Sequence, residues 1–136
     1  MPEDKFFCFG QKAFINKNDE VLVIFDPILG LDFPGGKIQE GELDFDEALK
    51  REVREETALE IEVGPPFFRW FIEFPPEHRN YKKDSILIGF KCKYVFGEVK
   101  ISNEHTKYKW VNKNNFRKLD DGSGYFKALE KYFENS

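Results

Sequence analysis

The 136-residue chain has few cysteines, no excess of positive charge and no long apolar run, and each shortage excludes a class of protein. Cys8 and Cys92 lie in strand-like runs without paired spacing, so we expect reduced, buried thiols and no disulfide framework. The formal net charge of −4 argues against a binder of nucleic acid polymers, which would be basic. No window is apolar enough to span a membrane, and residues 1–4 are unlike a signal peptide. We therefore expect a cytoplasmic protein with no membrane partner.

Aromatic and charged residues are plentiful instead. The sixteen phenylalanines are expected mainly to fill a core. A content of 40% hydrophobic and 34% charged residues is ordinary for a soluble protein, and residues 1–136 are enough for one domain with a full core.

Residues 44–57 predict a helix with carboxylates where apolar side chains are expected. The segment lacks Gly and Pro, and Asp44 with Glu47 fits a capping box. Its apolar residues are spaced i, i+4, i+8 and form one stripe: Phe45, Leu49 and Val53. Three carboxylates fall on or beside that stripe: Glu52, Glu55 and Glu56.

This placement is costly without a partner. Glu52 and Glu56 form a like-charge i, i+4 pair at the negative end of the helix dipole, and partial burial adds a desolvation cost. A divalent cation would remove these problems, and clustered carboxylate oxygens suit Mg²⁺. On the helix alone, a solvated glutamate cluster is the simpler interpretation, but the preceding loop favours the cation.

That loop is a glycine-permitted bend. Residues 33–37 read Phe-Pro-Gly-Gly-Lys, and residues 40–42 read Glu-Gly-Glu. With the helix, residues 36–59 resemble the Nudix box: Gly, five residues, Glu, seven residues, Arg-Glu, an aliphatic, any residue, Glu-Glu, any residue, Gly, an aliphatic. The positions that match are Gly36, Glu42, Arg51, Glu52, Val53, Glu55, Glu56 and Leu59. The chain is thus identified by resemblance as a small, MutT-like member of the Nudix hydrolase family, which implies an α/β fold, the α/β/α sandwich with a mixed β-sheet.

Two positions depart from the box. Eight residues rather than seven separate Glu42 from Arg51, which puts an extra residue at 43–45 and leaves their pairing open. Ala58 stands where the family has Gly, and a left-handed Ala costs about 1 kcal/mol, so the helix is expected to bear this strain or to end differently. Neither change removes a metal carboxylate.

The resemblance implies Mg²⁺-dependent attack of water on a nucleoside diphosphate linked to another group, with Mn²⁺ as a substitute cation. The implied cation ligands come from the box: Glu52, Glu55, Glu56 and the Gly36 carbonyl. The implied catalytic residues are Glu55 as general base, Arg51 as the partner that orients Glu42 and the box glutamates, and Glu104 as the alternative base. His105 is expected to be structural or solvent-facing. The candidate substrate contacts are Lys37 for phosphate, and Trp70 and Tyr81 for base stacking.

The substrate stays open among three functions. The leading one is hydrolysis of nucleoside triphosphates to the monophosphate and pyrophosphate. An ADP-ribose or sugar-nucleotide pyrophosphatase is the second, hinted at by Pro75 or Pro76 downstream of the box. A non-catalytic nucleotide-binding regulatory domain is the third, disfavoured because all three box glutamates are present. The expected partner is a small-molecule nucleotide, and a homodimer is left open.

Periodicity elsewhere predicts strands around two helices. Strands are expected at residues 5–9, 12–15, 20–25, 60–63, 67–74, 85–96, 99–101 and 108–111. Residues 28–32 and 75–84 are predicted as loops, residues 114–119 as a helical turn, and Ser123 as the cap of a last helix.

Overall fold

A computed structural model describes residues 2–134, so Met1, Asn135 and Ser136 of the predicted domain lie outside the described residues. The strands are β1 (Cys8–Lys17), β2 (Glu20–Asp26), β3 (Gly30–Asp32), β4 (Gly35–Lys37), β5 (Glu60–Ile72), β6 (Ser85–Phe96) and β7 (Lys107–Val111). The helices are α1 (Phe45–Thr57) and α2 (Gly124–Glu134), and a 3-10 helix spans Phe116–Leu119.

The seven strands form one mixed sheet whose central pairing is parallel. The order is β3-β2-β1-β6-β5, with β4 paired to β1 and β7 to β2. β1 runs parallel to β6, from Cys8 opposite Ser85 to Asn16 opposite Lys93. The other pairings are antiparallel. The expected mixed sheet is confirmed.

Alternate residues of the central strands bury opposite faces of the sheet, because side chains on a strand have a period of two. One face packs on α1, in a cluster that includes Ala13, Ile15, Leu22, Ile24, Leu49 and Val53. The other face packs on α2, in a cluster that includes Phe14, Val21, Val23, Tyr125, Leu129 and Tyr132. One helix therefore covers each face, as in an α/β/α sandwich.

β5 is one long strand, although a break was predicted at residues 64–66. It pairs with β6 from Glu60 opposite Phe96 to Ile72 opposite Ser85. The register shifts between Val63 and Pro66 and again between Pro66 and Phe68. Bulges let a strand pass through prolines, which donate no ladder hydrogen bond, and the predicted break was wrong for this reason.

Three other segments also differ from the prediction. Residues 8–17 form a single strand rather than two, and residues 30–32 form β3 rather than loop. Residues 99–101 form no strand, because the backbone N–H groups of Lys100 and Ser102 donate to the carbonyls of Thr57 and Glu56. This segment therefore satisfies the C-terminal end of α1 instead of pairing with a strand.

Some side chains also differ from the sequence pattern. Leu49 and Val53 are fully buried, but Phe45, expected on the same stripe, is 46% exposed. Both cysteines are free, Cys92 is buried and Cys8 is only half-buried. Between residues 2 and 134, no helix has the length and apolar character needed to cross a membrane.

Candidate active site

Two consecutive glycines, Gly35 and Gly36, let the loop before α1 pack closely against the sheet and the helix. Gly35 has a φ of +141°, and a Cβ there would collide with the carbonyl oxygen of Gln11. A Cβ on Gly36 would lie 2.8 Å from Oε2 of Glu52. The backbone N–H of Gly35 donates to Oε1 of Glu56 at 2.7 Å. Only glycine permits the close approach of residue 35 to the backbone of β1, whereas a side chain at residue 36 would force the Glu52 carboxylate to shift.

Helix α1 begins and ends at well-defined caps. The Asp44 carboxylate accepts the backbone N–H of Glu47 at 3.1 Å, as the capping box predicts. The helix ends at Ala58, which is left-handed at φ 64° and ψ 14° and donates its N–H to the Arg54 carbonyl. The alanine thus adopts the conformation usually taken by glycine and bears the strain.

The extra residue before the helix does not separate Glu42 from Arg51. Nη2 of Arg51 lies 2.8 Å from Oε2 of Glu42 and 3.2 Å from Oε1 of Glu52. Nη1 of the same guanidinium donates to both oxygens of Glu55, at 2.8 and 3.1 Å. Leu43 is 90% exposed, so the insertion bulges into solvent. The hydrogen bond from Arg51 lowers the pKa of Glu42.

The three helix glutamates differ in their surroundings. Glu56 is only 6% exposed, and its burial raises the pKa of that carboxyl to about 7. Burial also raises the pKa of Glu52. The side chain of Glu55 is 57% exposed and faces Arg51. In the part of the chain that the structure describes, no three acidic, histidine or cysteine side chains form a ready-made metal site.

Glu52 and Glu56 line a cavity of about 400 Å³ that also carries positive charge. Its cationic lining residues are Lys12, Lys37, Arg79 and Lys83. Glu104 lies on the same cavity, with Oε2 at 3.4 Å from Nε of Arg79. Carboxylates and cations thus share one concave site, as a phosphate substrate with a divalent cation requires.

A buried ion-pair network stands behind the carboxylates. Nζ of Lys12 on β1 lies 3.1 Å from Oδ1 of Asp32, and Nε2 of His105 lies 3.0 Å from Oδ2 of the same residue. Burial alone would lower the pKa of Lys12, but the charges of Asp32 and Glu56 outweigh it and raise that pKa. Nδ1 of His105 is 4.0 Å from Oε2 of Glu56. His105 is 6% exposed, so it is buried rather than solvent-facing.

The loop at residues 75–84 is hydrogen-bonded to the end of β2. Oδ1 of Asp26 accepts from Nε2 of His78 at 3.0 Å, and both side chains are buried. Nδ1 of His78 accepts the backbone N–H of Asn80 at 3.0 Å, and the Asn80 side chain accepts from Nζ of Lys37 at 2.7 Å. This chain of hydrogen bonds connects β2 with the lysine beside the glycine pair.

The comparison with family models decides the family. The model of the NUDIX domain matches residues 12–132, which is most of the chain. The chain belongs to the Nudix family. The MutT protein from Methanosarcina mazei Go1 is similar in structure, with a TM-score of 0.77, 27% identity, and 98% of this chain and 97% of that chain covered. The mutator MutT protein from Bacillus halodurans has a TM-score of 0.69 and 26% identity, with 93% and 82% covered.

A further solved structure shows the same fold at lower identity. An ADP-ribose pyrophosphatase from Streptococcus suis 89-1591 has a TM-score of 0.65 and 19% identity, with 94% of this chain and 90% of that chain covered. No curated protein sequence matches the chain significantly. The family match, together with the likeness to the MutT protein from Methanosarcina mazei Go1, makes this chain a Nudix pyrophosphohydrolase.

Nudix hydrolases generally use a divalent metal, and the residues of this chain fit one. Glu52 and Glu56 present carboxylate oxygens to the cavity, and the Gly36 backbone packs against Glu52. Burial of the Glu56 carboxylate has a desolvation cost that the charge of Lys12 and the hydrogen bond from Gly35 do not offset, since its pKa stays raised. A hard divalent cation would offset that cost with oxygen ligands of the preferred type. Glu55, the third expected ligand, is bound to Arg51 in this structure.

The expected substrate residues are distributed unevenly around the Nudix site. Lys37 lines the cavity, where burial and the charge of Lys83 lower its pKa. Trp70 is 7% exposed, packs against Phe14 and Tyr125 in the core, and is not a lining residue. Tyr81 is half-exposed and does not line the cavity either. Neither ring lines the cavity, so the expected base-stacking roles of Trp70 and Tyr81 stay predictions that this structure does not support.

Several cavity residues were not anticipated from the sequence. They are Lys12, Asp26, Asp32, His78, Arg79, Asn80 and Lys83. Charged residues inside or at the ends of otherwise apolar strands, such as Lys12 in β1 and Asp26 in β2, were a usable signal. The loop residues gave no such signal, because polar residues are ordinary in a loop whether or not it has a function.

Proposed function

We propose that this Nudix hydrolase converts nucleoside triphosphates to the monophosphate and pyrophosphate, with Mg²⁺ as its cation. The observation that carries the proposal is one cavity lined both by the box carboxylates Glu52 and Glu56 and by Lys37, Arg79 and Lys83. Its volume of about 400 Å³ lies within the range of small-molecule sites. A polyphosphate with its divalent cation needs both kinds of lining.

The roles follow from the contacts. Glu52 and Glu56, with the Gly36 carbonyl and Glu55 from the resemblance, would hold Mg²⁺, or Mn²⁺ in its place. When bound, the cation supplies charge neutralisation and activation of the attacking water. Arg51 positions Glu42, Glu52 and Glu55.

Either Glu104 or Glu55 would take the proton from the attacking water. We favour Glu104, because it lines the cavity while Glu55 faces Arg51 outside it. The cationic side chains would stabilise charge on the phosphates during transfer. The cytoplasmic location and the homodimer stay predictions.

Hydrolysis of ADP-ribose or a sugar nucleotide is the second candidate. Pro75 and Pro76 precede His78 and Arg79, which line the cavity, so this proline pair begins the loop that bounds the site. The fold shared with the Streptococcus suis ADP-ribose pyrophosphatase is compatible with this candidate but does not select it.

A Mg²⁺-dependent hydrolysis screen tests both candidates. It covers the canonical and oxidised (d)NTPs, ADP-ribose, sugar nucleotides and dinucleoside polyphosphates, with the products separated as pyrophosphate, phosphate and NMP. We expect selective turnover of a triphosphate with release of pyrophosphate. Turnover of ADP-ribose or a sugar nucleotide alone would replace the proposal with the second candidate.

Two variants of α1 make the screen decisive. Glu56→Gln should lower kcat by orders of magnitude with the fold intact, because it removes a proposed cation ligand in the cavity. Glu47→Gln is the matched control, since Glu47 lies on the exposed side of the same helix, and its turnover should stay within about twofold. Near-normal turnover by Glu56→Gln would overturn the ligand assignment.

A further inference from the structure

Three cationic side chains line the cavity: two are lysines without a carboxylate partner in the described chain, and the third is an arginine paired with Asp26 and Glu104. They are Lys37, Arg79 and Lys83, called the cationic cluster below. Within residues 2–134, the ammonium groups of Lys37 and Lys83 have no carboxylate at ion-pair distance. Lys37 is hydrogen-bonded only to the neutral side chain of Asn80. By contrast, Lys12, the fourth cation on the cavity, is buried against Asp32.

The cationic cluster is held in place by buried groups. The Asp26–His78 pair lies under the loop, and His78 accepts the Asn80 N–H. Nη1 of Arg79 lies 3.2 Å from Oδ1 of Asp26. Asn80 in turn accepts the hydrogen bond from Lys37. These buried contacts fix the turn around Asn80. The cationic side chains therefore line one cavity before any ligand arrives, which reduces the entropy lost when a ligand binds.

The hydrogen bonds that hold the loop do not explain the positive charges of Lys37 and Lys83. Asp26 accepts hydrogen bonds from His78 and from the backbone N–H groups of Ile28 and Leu29, and none of these contacts uses the charge of Lys37 or Lys83. No carboxylate of the described chain pairs with Lys83, and the repulsion between its charge and Lys37 adds to the burial that lowers the pKa of Lys37. An anion from outside the protein would relieve that repulsion.

The charge of the ligand indicates which anion fits. In ADP-ribose and sugar nucleotides each of the two phosphates has one ester bond and one anhydride bond and carries one negative charge, and a single divalent cation balances the pair. A terminal phosphate adds about −1.5 to −2 at pH 7. Two unpaired ammonium groups match that additional charge.

We propose that the cationic cluster is a subsite for a terminal phosphate, which makes the enzyme select nucleotides with a free polyphosphate end over those whose second phosphate carries a sugar. This inference rests on the proposed function and deepens it. It assigns Arg79 and Lys83, in the loop outside the box, as determinants of substrate class. The box itself then serves the phosphates at the scissile bond.

The test compares two adenine ligands by calorimetry in EDTA, where no turnover occurs. The first is the α,β-methylene analogue of ATP, which keeps the terminal phosphate, and the second is ADP-ribose, which lacks it. The common adenine makes its contribution cancel. We expect the wild-type protein to bind the ATP analogue at least about tenfold more tightly than ADP-ribose.

Lys83→Met should weaken binding of the ATP analogue by about ten- to a hundredfold and change ADP-ribose binding by less than about twofold. Lys82→Met is the matched control, because Lys82 is the next residue in the same loop, is exposed and is not a lining residue. It removes the same charge and should leave both affinities unchanged. Thermal unfolding of both variants verifies that they are folded.

The inference is overturned if Lys83→Met leaves the ratio of the two affinities at its wild-type value, or if Lys82→Met alters it equally. The proposed function fails separately, if the wild-type enzyme with Mg²⁺ hydrolyses no triphosphate. The binding ratio decides the subsite in either case, since it does not depend on turnover.

Discussion

At the scale of single residues, the general base is the assignment that most needs a direct measurement. Glu104→Gln should lower kcat by about a hundred- to ten-thousandfold with little change in KM, because a general base contributes that much and the amide cannot accept the proton. Steady-state kinetics with the substrate identified in the screen measures this. Glu77→Gln, in the exposed part of the neighbouring loop, is the control and should behave as wild type. A mild effect of Glu104→Gln would return the role to Glu55.

Ala58 offers a stability test at the same scale. Its φ of 64° is left-handed, so Ala58→Gly should raise the free energy of unfolding by about 0.5–1 kcal/mol, as the strain on Cβ exceeds the added chain entropy. Urea unfolding with an unchanged m-value measures it. The same exchange inside α1, Ala48→Gly, should have the opposite sign and cost about 1 kcal/mol. Equal signs for the two variants would contradict the strain at Ala58.

At the scale of elements, the start of α1 supports the helix that carries Glu52, Glu55 and Glu56. Asp44→Ala should lower the free energy of unfolding by about 1 kcal/mol, because the Glu47 N–H loses its acceptor. Asp46→Ala removes a carboxylate from the same first turn but breaks no capping bond, so it should cost less than about half as much. If chemical denaturation shows that both variants lose the same free energy of unfolding, the Asp44 cap is not what stabilises the N-terminal end of α1.

The loop at residues 75–84 should make stability depend on pH through Asp26. Burial alone would raise the pKa of Asp26, but hydrogen bonds from Leu29, His78 and Ile28 overcome it and lower that pKa to about 2. Because the folded pKa lies below the unfolded one, the stabilisation is full above about pH 4 and disappears as the pH falls towards 2.

Asp26→Asn should therefore cost about 2 kcal/mol at pH 7, and its difference from wild type should shrink near pH 2. Urea unfolding across that range measures the difference. Asp84→Asn is the control, since its partner Lys5 is largely exposed and the pair contributes at most about 1 kcal/mol. If the difference in unfolding free energy between Asp26→Asn and wild type stays constant down to pH 2, the ionised Asp26 carboxylate is not the source of the stabilisation.

The elements also explain how far the sequence could predict this protein. The box and its helix were predictable, because the cap, the glycine pair and the glutamates are local in sequence. The bulged course of β5 was not, since its pairing with β6 outweighs the local signal of two prolines. The contacts of Lys37 could not be predicted for the same reason. Asn80 bonds Lys37 directly, and Asp26 is connected to it through His78 and Asn80, all of them distant in sequence from Lys37. The sequence pattern thus predicted the carboxylates of the cavity and Lys37, and only the tertiary structure showed that Arg79 and Lys83 lie on the same cavity.

At the scale of the whole molecule, cation binding and folding should be coupled, because the site is formed by separate elements that meet only in the native state. Glu52 and Glu56 come from α1 and Gly36 from β4. A ligand that binds only the folded protein stabilises it by about 2.7 kcal/mol at 100 times its Kd, so Mg²⁺ should raise Tm by several degrees over EDTA. Glu56→Gln should lose most of that increase, whereas Glu47→Gln should keep it. Scanning calorimetry without nucleotide measures this independently of turnover, and an equal Mg²⁺ effect on both variants would move the cation away from the box.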